Sequence, residues 1–241
     1  MILLKQTKKR YLLCLTLFLI FTNFLSLKTL KNVEFKDIKI YGSKIFSRKD
    51  IITNSSLNLP TRLIFIRTKF VEKELKLNLS LENVLVSRQV FPFGLRVLIK
   101  TRRPFAYGEK LLNGKKISGF IDKNGFFINK KYAERTVLDE SALQVFGWQE
   151  NSRKTLSKIL TSQKNGEFEL LKISFSQNGF LTLEEKDLQT VFLGFNQNLI
   201  EAQLRIIGNL KNQLNKNNFT GKIDNVDLTD PNYPKIKVFK P

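Results

Sequence analysis

The chain has no histidine, and in 241 residues it has one cysteine, one tryptophan and one methionine. Without histidine, the Ser-His-Asp and Cys-His catalytic arrangements and most zinc sites are excluded. A single cysteine cannot close a disulfide within the chain, and Cys14 lies inside an apolar run where it makes a poor nucleophile or ligand. The fold therefore rests on its core alone. Neither G-x-x-x-x-G-K-[ST] nor G-x-G-x-x-G occurs, so no local signal marks a nucleotide site, and no cofactor or metal is expected.

Acidic residues are also scarce, with 21 Asp and Glu against 41 Lys and Arg. The first thirty residues hold five basic side chains and no acid, which leaves 36 against 21, a net +15, in the rest. A basic chain invites nucleic-acid binding through phosphate neutralisation. Here, however, the charges are dispersed singly and no run of five Lys or Arg occurs, so a solvated basic face near anionic lipid or polymer is expected, with no nucleic-acid partner. The 21 Phe against five Tyr and one Trp point to core packing and not to a base- or sugar-stacking platform. The acids that do cluster, Glu184, Glu185 and Asp187, and Asp224, Asp227 and Asp230, are expected to be surface turn acids. The second set lacks the order of a calcium loop, and a glycosidase pair would need facing carboxyl groups.

The longest apolar run is YLLCLTLFLIFTNFLSL, residues 11–27, and it carries no charge. As a helix it extends roughly 25 Å, slightly short of a ~30 Å hydrocarbon core. Lys5, Lys8, Lys9 and Arg10 precede it, as in an export signal. Two readings fit, an uncleaved spanning anchor and a cleaved signal peptide. The end of the run shows no A-x-A cleavage pattern, which favours the anchor. Basic residues also follow the run, at Lys28, Lys31, Lys36 and Lys39, so the charge bias is weak. Because long domains translocate largely regardless of charge, the N-terminus is placed in the cytoplasm and the bulk of the chain outside.

Beyond residue 30 the chain is long enough for two small domains. Residues 35–41 alternate as a strand, and Ser47 with Asp50 forms a capping-box start for a short helix carrying Ile51 and Ile52. Thr68 is placed as the N-cap of a second helix, with Val71, Leu75 and Leu79 facing a sheet. Val84, Val86 and Val90, then Leu95, Val97 and Ile99, flank the turn at Pro92 to Gly94 and read as an antiparallel hairpin. From Gly108 onward, Asn-Gly pairs at 113–114, 124–125, 165–166 and 178–179 are candidate type I′ hairpin tips. Residues 152–163 read as a helix with Leu156, Ile159 and Leu160 on one face. Ile200, Leu204, Ile207, Leu210 and Leu214 mark the clearest amphipathic helix, followed by strands at 222–228 and 236–239.

The strand, helix, helix, strand, strand order over residues 35–107 resembles a POTRA domain. Its place after an N-terminal apolar segment and before a β-rich region resembles the bacterial cell-division family FtsQ/DivIB. The residues that carry the likeness are IKIYGSKIFSRKDI, then Arg102, Pro104 and Ala106 as R-x-P-x-A, FIDKNGFFI at 120–128, and VDLTDP with Asp227 and Leu228. Thr101 and Thr229 depart from the family's common Glu and Arg.

The resemblance implies an α+β protein with a single N-terminal transmembrane helix, a POTRA domain, and a mostly antiparallel β-domain with a C-terminal amphipathic helix. The corresponding ranges are a cytoplasmic tail at 1–10, an anchor at 11–30, the POTRA domain at 31–107 and a docking domain at 108–241. It further implies a non-enzymatic scaffold of the division complex in the bacterial plasma membrane, contacting the lipid bilayer and small bitopic division proteins with periplasmic coiled coils. A late strand at a sheet edge can accept a partner strand through backbone hydrogen bonds. By position, Ile223, Val226, Leu228, Thr229 and Tyr233 are the candidate docking residues. The alternative is a POTRA-bearing export or outer-membrane assembly component, which should carry several POTRA units or a C-terminal barrel.

Overall fold

Thr22 and Asn23, polar interruptions of the apolar run, turn their side chains back onto their own helix, each donating to the Leu19 carbonyl (2.9 and 3.0 Å). The computed structural model describes residues 15–20, 22–23, 31–112, 114–133, 138–139, 142–164, 168–216 and 221–239. Most of the anchor expected at 11–30 lies outside them, as does the Asn165-Gly166 pair. Among the described residues no helix is long and apolar enough to cross a membrane. The chain divides into two units between Thr101 and Arg102.

The first unit is built on a three-stranded sheet in the order β2 (Ile38–Tyr41), β5 (Gly94–Lys100), β4 (Asn83–Gln89). β2 runs parallel to β5, and β4 pairs antiparallel with it as the expected hairpin. A parallel neighbour needs a crossover, and two helices supply it. Helix α1 (Arg48–Thr53) starts on the reciprocal capping box of Ser47 and Asp50, in which each side chain accepts the other's backbone N–H. Helix α2 (Thr68–Asn78) buries Val71 and Leu75, and its C-cap Leu79 is buried beside them. Thr68 is the first helical residue and Arg67 the N-cap, one position from the expected start.

Residues 35–37, expected as the start of the first strand, form a 3-10 turn instead. Glu34 and Asp37 cap each other there, with the Glu34 N–H donating to Asp37 Oδ2 at 2.9 Å, and this local bonding overrides the period-two pattern. Phe35 is consequently half exposed. A two-stranded ribbon of β1 (Asn32–Val33) and β3 (Thr61–Arg62) has no alternation signal at this length.

The second unit is a single open sheet of nine strands. In spatial order they are β14 (Lys235–Val238), β13 (Ile223–Asp227), β12 (Gln189–Gly194), β11 (Leu181–Glu185), β10 (Leu170–Phe175), β9 (Gln144–Trp148), β6 (Ala106–Leu112), β7 (Lys115–Ile121) and β8 (Phe127–Asn129). Ala106 and Tyr107, expected at the end of the first domain, pair here with Ile121 and Phe120. The sheet is mixed. Five neighbouring pairs are antiparallel, but β6–β9, β9–β10 and β12–β13 are parallel.

The last two parallel pairs are joined by α3 (Arg153–Lys164) and α4 (Ile200–Lys216). The amphipathic helix is thus the crossover between β12 and β13. β9 and β12 run in one direction and both crossovers step to the same side, so the right-handed rule places both helices on one face. They touch there, with Lys158 Nζ 2.6 Å from Glu201, and the Thr155 hydroxyl donates to Gln197 in the turn before α4 at 2.7 Å. Leu156, Ile159, Leu160, Ile200, Leu204 and Ile207 all enter the core. Each contributes roughly 1.5–3 kcal/mol against exposure, whereas a surface pair such as Lys158–Glu201 contributes at most about 1. Apolar burial holds the helices down.

Two Asn-Gly hairpins share one turn chemistry. The Gly125 N–H donates to the Asp122 carbonyl and the Asp122 N–H to the Phe126 carbonyl (2.9 and 3.0 Å). Gly179, Ser176 and Phe180 repeat the pattern. Only the glycines take positive φ, +76° and +89°, while Asn124 and Asn178 do not. These are therefore three-residue loops with a glycine bulge and not the expected type I′ turns, because the Asp122 and Ser176 side chains stabilise the wider turn.

Candidate functional site

β14 is an edge strand. It pairs with β13 on one side and with no described residue on the other. The Phe239 N–H donates to the Lys222 carbonyl at 2.9 Å, so the alternation of an antiparallel ladder turns the N–H and C=O of Ile236 and Val238 toward the free side. All four β14 residues are exposed, including Ile236 (46%) and Val238 (42%). The strand alternates Lys235 and Lys237 with these two apolar side chains. Lys237 is paired with Asp224 at 3.0 Å.

The five residues expected to meet a partner are divided by this arrangement. Ile223, Val226 and Leu228 are 3, 0 and 0% exposed and belong to the core cluster, so their side chains are not at the surface. Ile223 and Val226 lie an odd number of residues apart and would face opposite ways in a regular strand. A bulge between Ile223 and Asn225 resets the parity and turns both inward. Thr229 and Tyr233 are exposed, Tyr233 at 75%. The accessible features are thus the β14 edge and the turn before it, and the sheet order that makes β14 the edge is not visible in strand periodicity.

That turn is ordered by short-range bonds. The Thr229 hydroxyl and N–H donate to Asp227 Oδ1 (2.6 and 2.9 Å), and the Asn232 N–H donates to Asp230. The Thr229 hydroxyl, then its N–H, hold the Asp227 carboxyl below its usual pKa, with Lys235 adding to the effect. From behind, buried Gln203 of α4 donates to the Leu193 and Leu228 carbonyls, both at 2.7 Å, which ties the ends of β12 and β13 together. Gln203→Leu should orphan both carbonyls and lower the stability of the second unit by about 2 kcal/mol, read by urea denaturation.

The acid clusters do not assemble a carboxylate pair. Glu184 and Glu185 are successive on β11 and point to opposite faces. Glu184 is paired with Lys172 at 2.7 Å, while Glu185, expected at the surface, is 1% exposed. Its carboxylate accepts the N–H groups of Glu169, Asp187 and Leu188 and the ammonium of Lys211, and so organises the turn into β12. Among the described residues no group of three potential metal ligands occurs. A hollow of about 420 Å³ over β6, β7 and β9 is lined by Tyr107, Ser118, Gln144 and Phe146. Its one carboxylate, Glu109, is engaged by Lys116 at 3.1 Å.

At the start of the second unit, two separate sequence motifs meet. Arg102 of the R-x-P-x-A stretch donates to Asp122 of FIDKNGFFI at 2.7 Å, with both side chains about 95% buried. Asp122 Oδ1 also accepts the Asn124 and Phe126 N–H groups, and the Arg102 guanidinium lies 3.6 Å from the Phe126 ring centroid.

The family model for the POTRA domain of the FtsQ type matches residues 33–102. Residues 33–102 therefore form a POTRA domain of the FtsQ type. The domain has the strand, helix, helix, strand, strand order in β2, α1, α2, β4 and β5, and the match ends on Arg102, the residue that locks to Asp122. POTRA domains are protein-interaction modules and not catalytic ones. No curated protein sequence matches the chain.

Proposed function

We propose that this FtsQ-type POTRA protein is a non-enzymatic bitopic scaffold of the bacterial division complex. Residues 1–10 form a cytoplasmic tail, 11–30 span the plasma membrane, the POTRA domain follows outside, and the nine-stranded sheet is the docking domain. The FtsQ-type POTRA match carries the reading. The free edge of β14 supports it, because strand addition asks for backbone groups and little side-chain identity. The partners on this reading are small bitopic division proteins with periplasmic coiled coils, which add a strand against Ile236 and Val238 and meet Thr229 and Tyr233 at its end. Ile223, Val226 and Leu228 act from beneath, by holding β13 on the core beside β14.

The test is genetic and structural together. Depletion of the protein should produce filaments without septa, and a fluorescent fusion should gather at midcell. Val238→Pro removes one outward N–H and leaves the bonds to β13 in place, so it should fold normally yet cross-link to its partner at least about tenfold less. Normal septation after depletion would sink the division reading. Undiminished cross-linking by Val238→Pro would sink the docking edge.

A further inference from the structure

Helix α2 has two apolar faces. Val71 and Leu75 point into the POTRA core, while Phe70 (53%) and Leu77 (68%), seven residues apart, stand in solvent with exposed Lys73 between them. The turn before the helix adds Ile64 (49%) and Phe65 (66%). Phe65 and Phe70 flank a single depression of about 310 Å³ that Arg67 also lines. Large apolar side chains exposed together, as Phe65 and Phe70 are around this depression, mark a place where something binds.

Charge identifies the partner. Exposed cations flank these residues along the chain at Arg62, Arg67, Lys73 and Lys76, and Lys69 is paired with Glu72. The two acids of the same stretch are engaged elsewhere. Glu72 accepts the Val86 N–H at 2.9 Å and pairs with Lys69, and Glu74 accepts the N–H and hydroxyl of Ser56 at 2.7 and 2.8 Å. Residues 31–101 as a whole carry fourteen Lys and Arg against six Asp and Glu, a net +8. Large apolar side chains ringed by long cationic ones are the composition of a surface that lies in a membrane interface, with rings at the acyl boundary and cations at the headgroups.

We infer that this face of the POTRA domain, centred on Phe65 and Phe70, docks on an anionic lipid surface. It stands on exposed residues of the first unit and not on the spanning segment, so the two readings fail separately.

The experiment uses the full chain with Cys14→Ser and a nitroxide at Phe65→Cys or Phe70→Cys, on vesicles of phosphatidylglycerol and phosphatidylcholine. Both labels should become accessible to oxygen and shielded from a water-soluble nickel complex. Arg62→Glu with Arg67→Glu, or high salt, should reduce the shielded fraction at least about tenfold relative to the aqueous one. Labels that remain aqueous on these vesicles would overturn the proposal, as would shielding equally strong on phosphatidylcholine alone. Spin–spin broadening without vesicles would also overturn it, since the patch would then be covered by a second copy. Whether the chain stays on vesicles through an alkaline wash reports on residues 11–27 alone.

Discussion

Asp122→Asn should lower the stability of the second unit by about 3–5 kcal/mol, the cost of leaving a buried charge without its partner. The substituted amide can still accept the Asn124 and Phe126 N–H groups through its oxygen, so the turn keeps its acceptor. It then presents an NH₂ group to the Arg102 guanidinium. Arginine cannot shed its proton, and Arg102 is only 7% exposed, so the charge is stranded. The reverse change should be milder. In Arg102→Met the carboxylate keeps two N–H donors and the stem volume is retained, although the stacking on Phe126 is lost.

The double variant Arg102→Met/Asp122→Asn should recover most of the loss, because an apolar replacement of a buried pair is often nearly neutral. Arg102 Nε has no hydrogen-bond partner among the described residues in its buried setting, which lowers the net value of the native pair and makes that recovery larger. Trp148 reports on the site, since its indole N–H donates to the carbonyl of Gly125 in the same turn at 2.8 Å. Urea denaturation followed by its fluorescence measures all three variants. Additive losses in the double variant would show that the two residues act independently and that the contact is incidental.

Features set by a few neighbouring residues were legible in the sequence. The Ser47–Asp50 capping box, the hairpin around Pro92 to Gly94 and the inward stripes of α3 and α4 depend on contacts within one turn or across one tight loop. What periodicity could not show is pairing at a distance. β9 joins β10 and β6, and β12 joins β13, through parallel ladders whose partners are separated by a helix or a hairpin, so the mixed sheet was hidden behind well-marked hairpins. The burial of Ile223, Val226 and Leu228 is hidden from the sequence for a related reason. Val226 and Leu228 alternate as a strand should, but alternation does not say which face is covered or whether a further strand lies outside. Arg102 and Asp122 were each visible within a motif, and only the fold brings residues twenty apart into one ion pair.

The Arg102 contact also bears on how the chain could work as a scaffold. Within the second unit, the chain leading into β6 is held at Arg102 by a buried ion pair and an aromatic ring. The edge proposed to meet a partner, β14, lies six places from β6 in the strand order, where among the described residues β13 and the Asp227–Tyr233 turn support it.

Glu185→Gln should be as damaging as the loss of Asp122, about 3–5 kcal/mol, although the side chain keeps its size. Every group that faces the carboxylate is a donor: Lys211 and the Glu169 N–H on one oxygen, and the Asp187 and Leu188 N–H groups on the other. Whichever way the amide is turned, its NH₂ meets two donors, and the Lys211 ammonium loses its buried counter-charge. Lys211→Met should cost less, because the carboxylate retains three N–H donors. The pair also sets an alkaline limit. Burial pulls the Lys211 pKa down, but hydrogen bonds and charge from Glu185 and Asp187 outweigh it and leave it raised. A lysine whose folded pKa exceeds its unfolded value of about 10.4 contributes stability that is fully present below that value and is lost as pH rises through the folded pKa. Wild-type protein should therefore lose stability above roughly pH 10.4, and Lys211→Met should lose less over the same window. Equal alkaline slopes for the two proteins, or a Glu185→Gln variant within about 0.5 kcal/mol of wild type, would show that this hub does not hold the turn between β11 and β12.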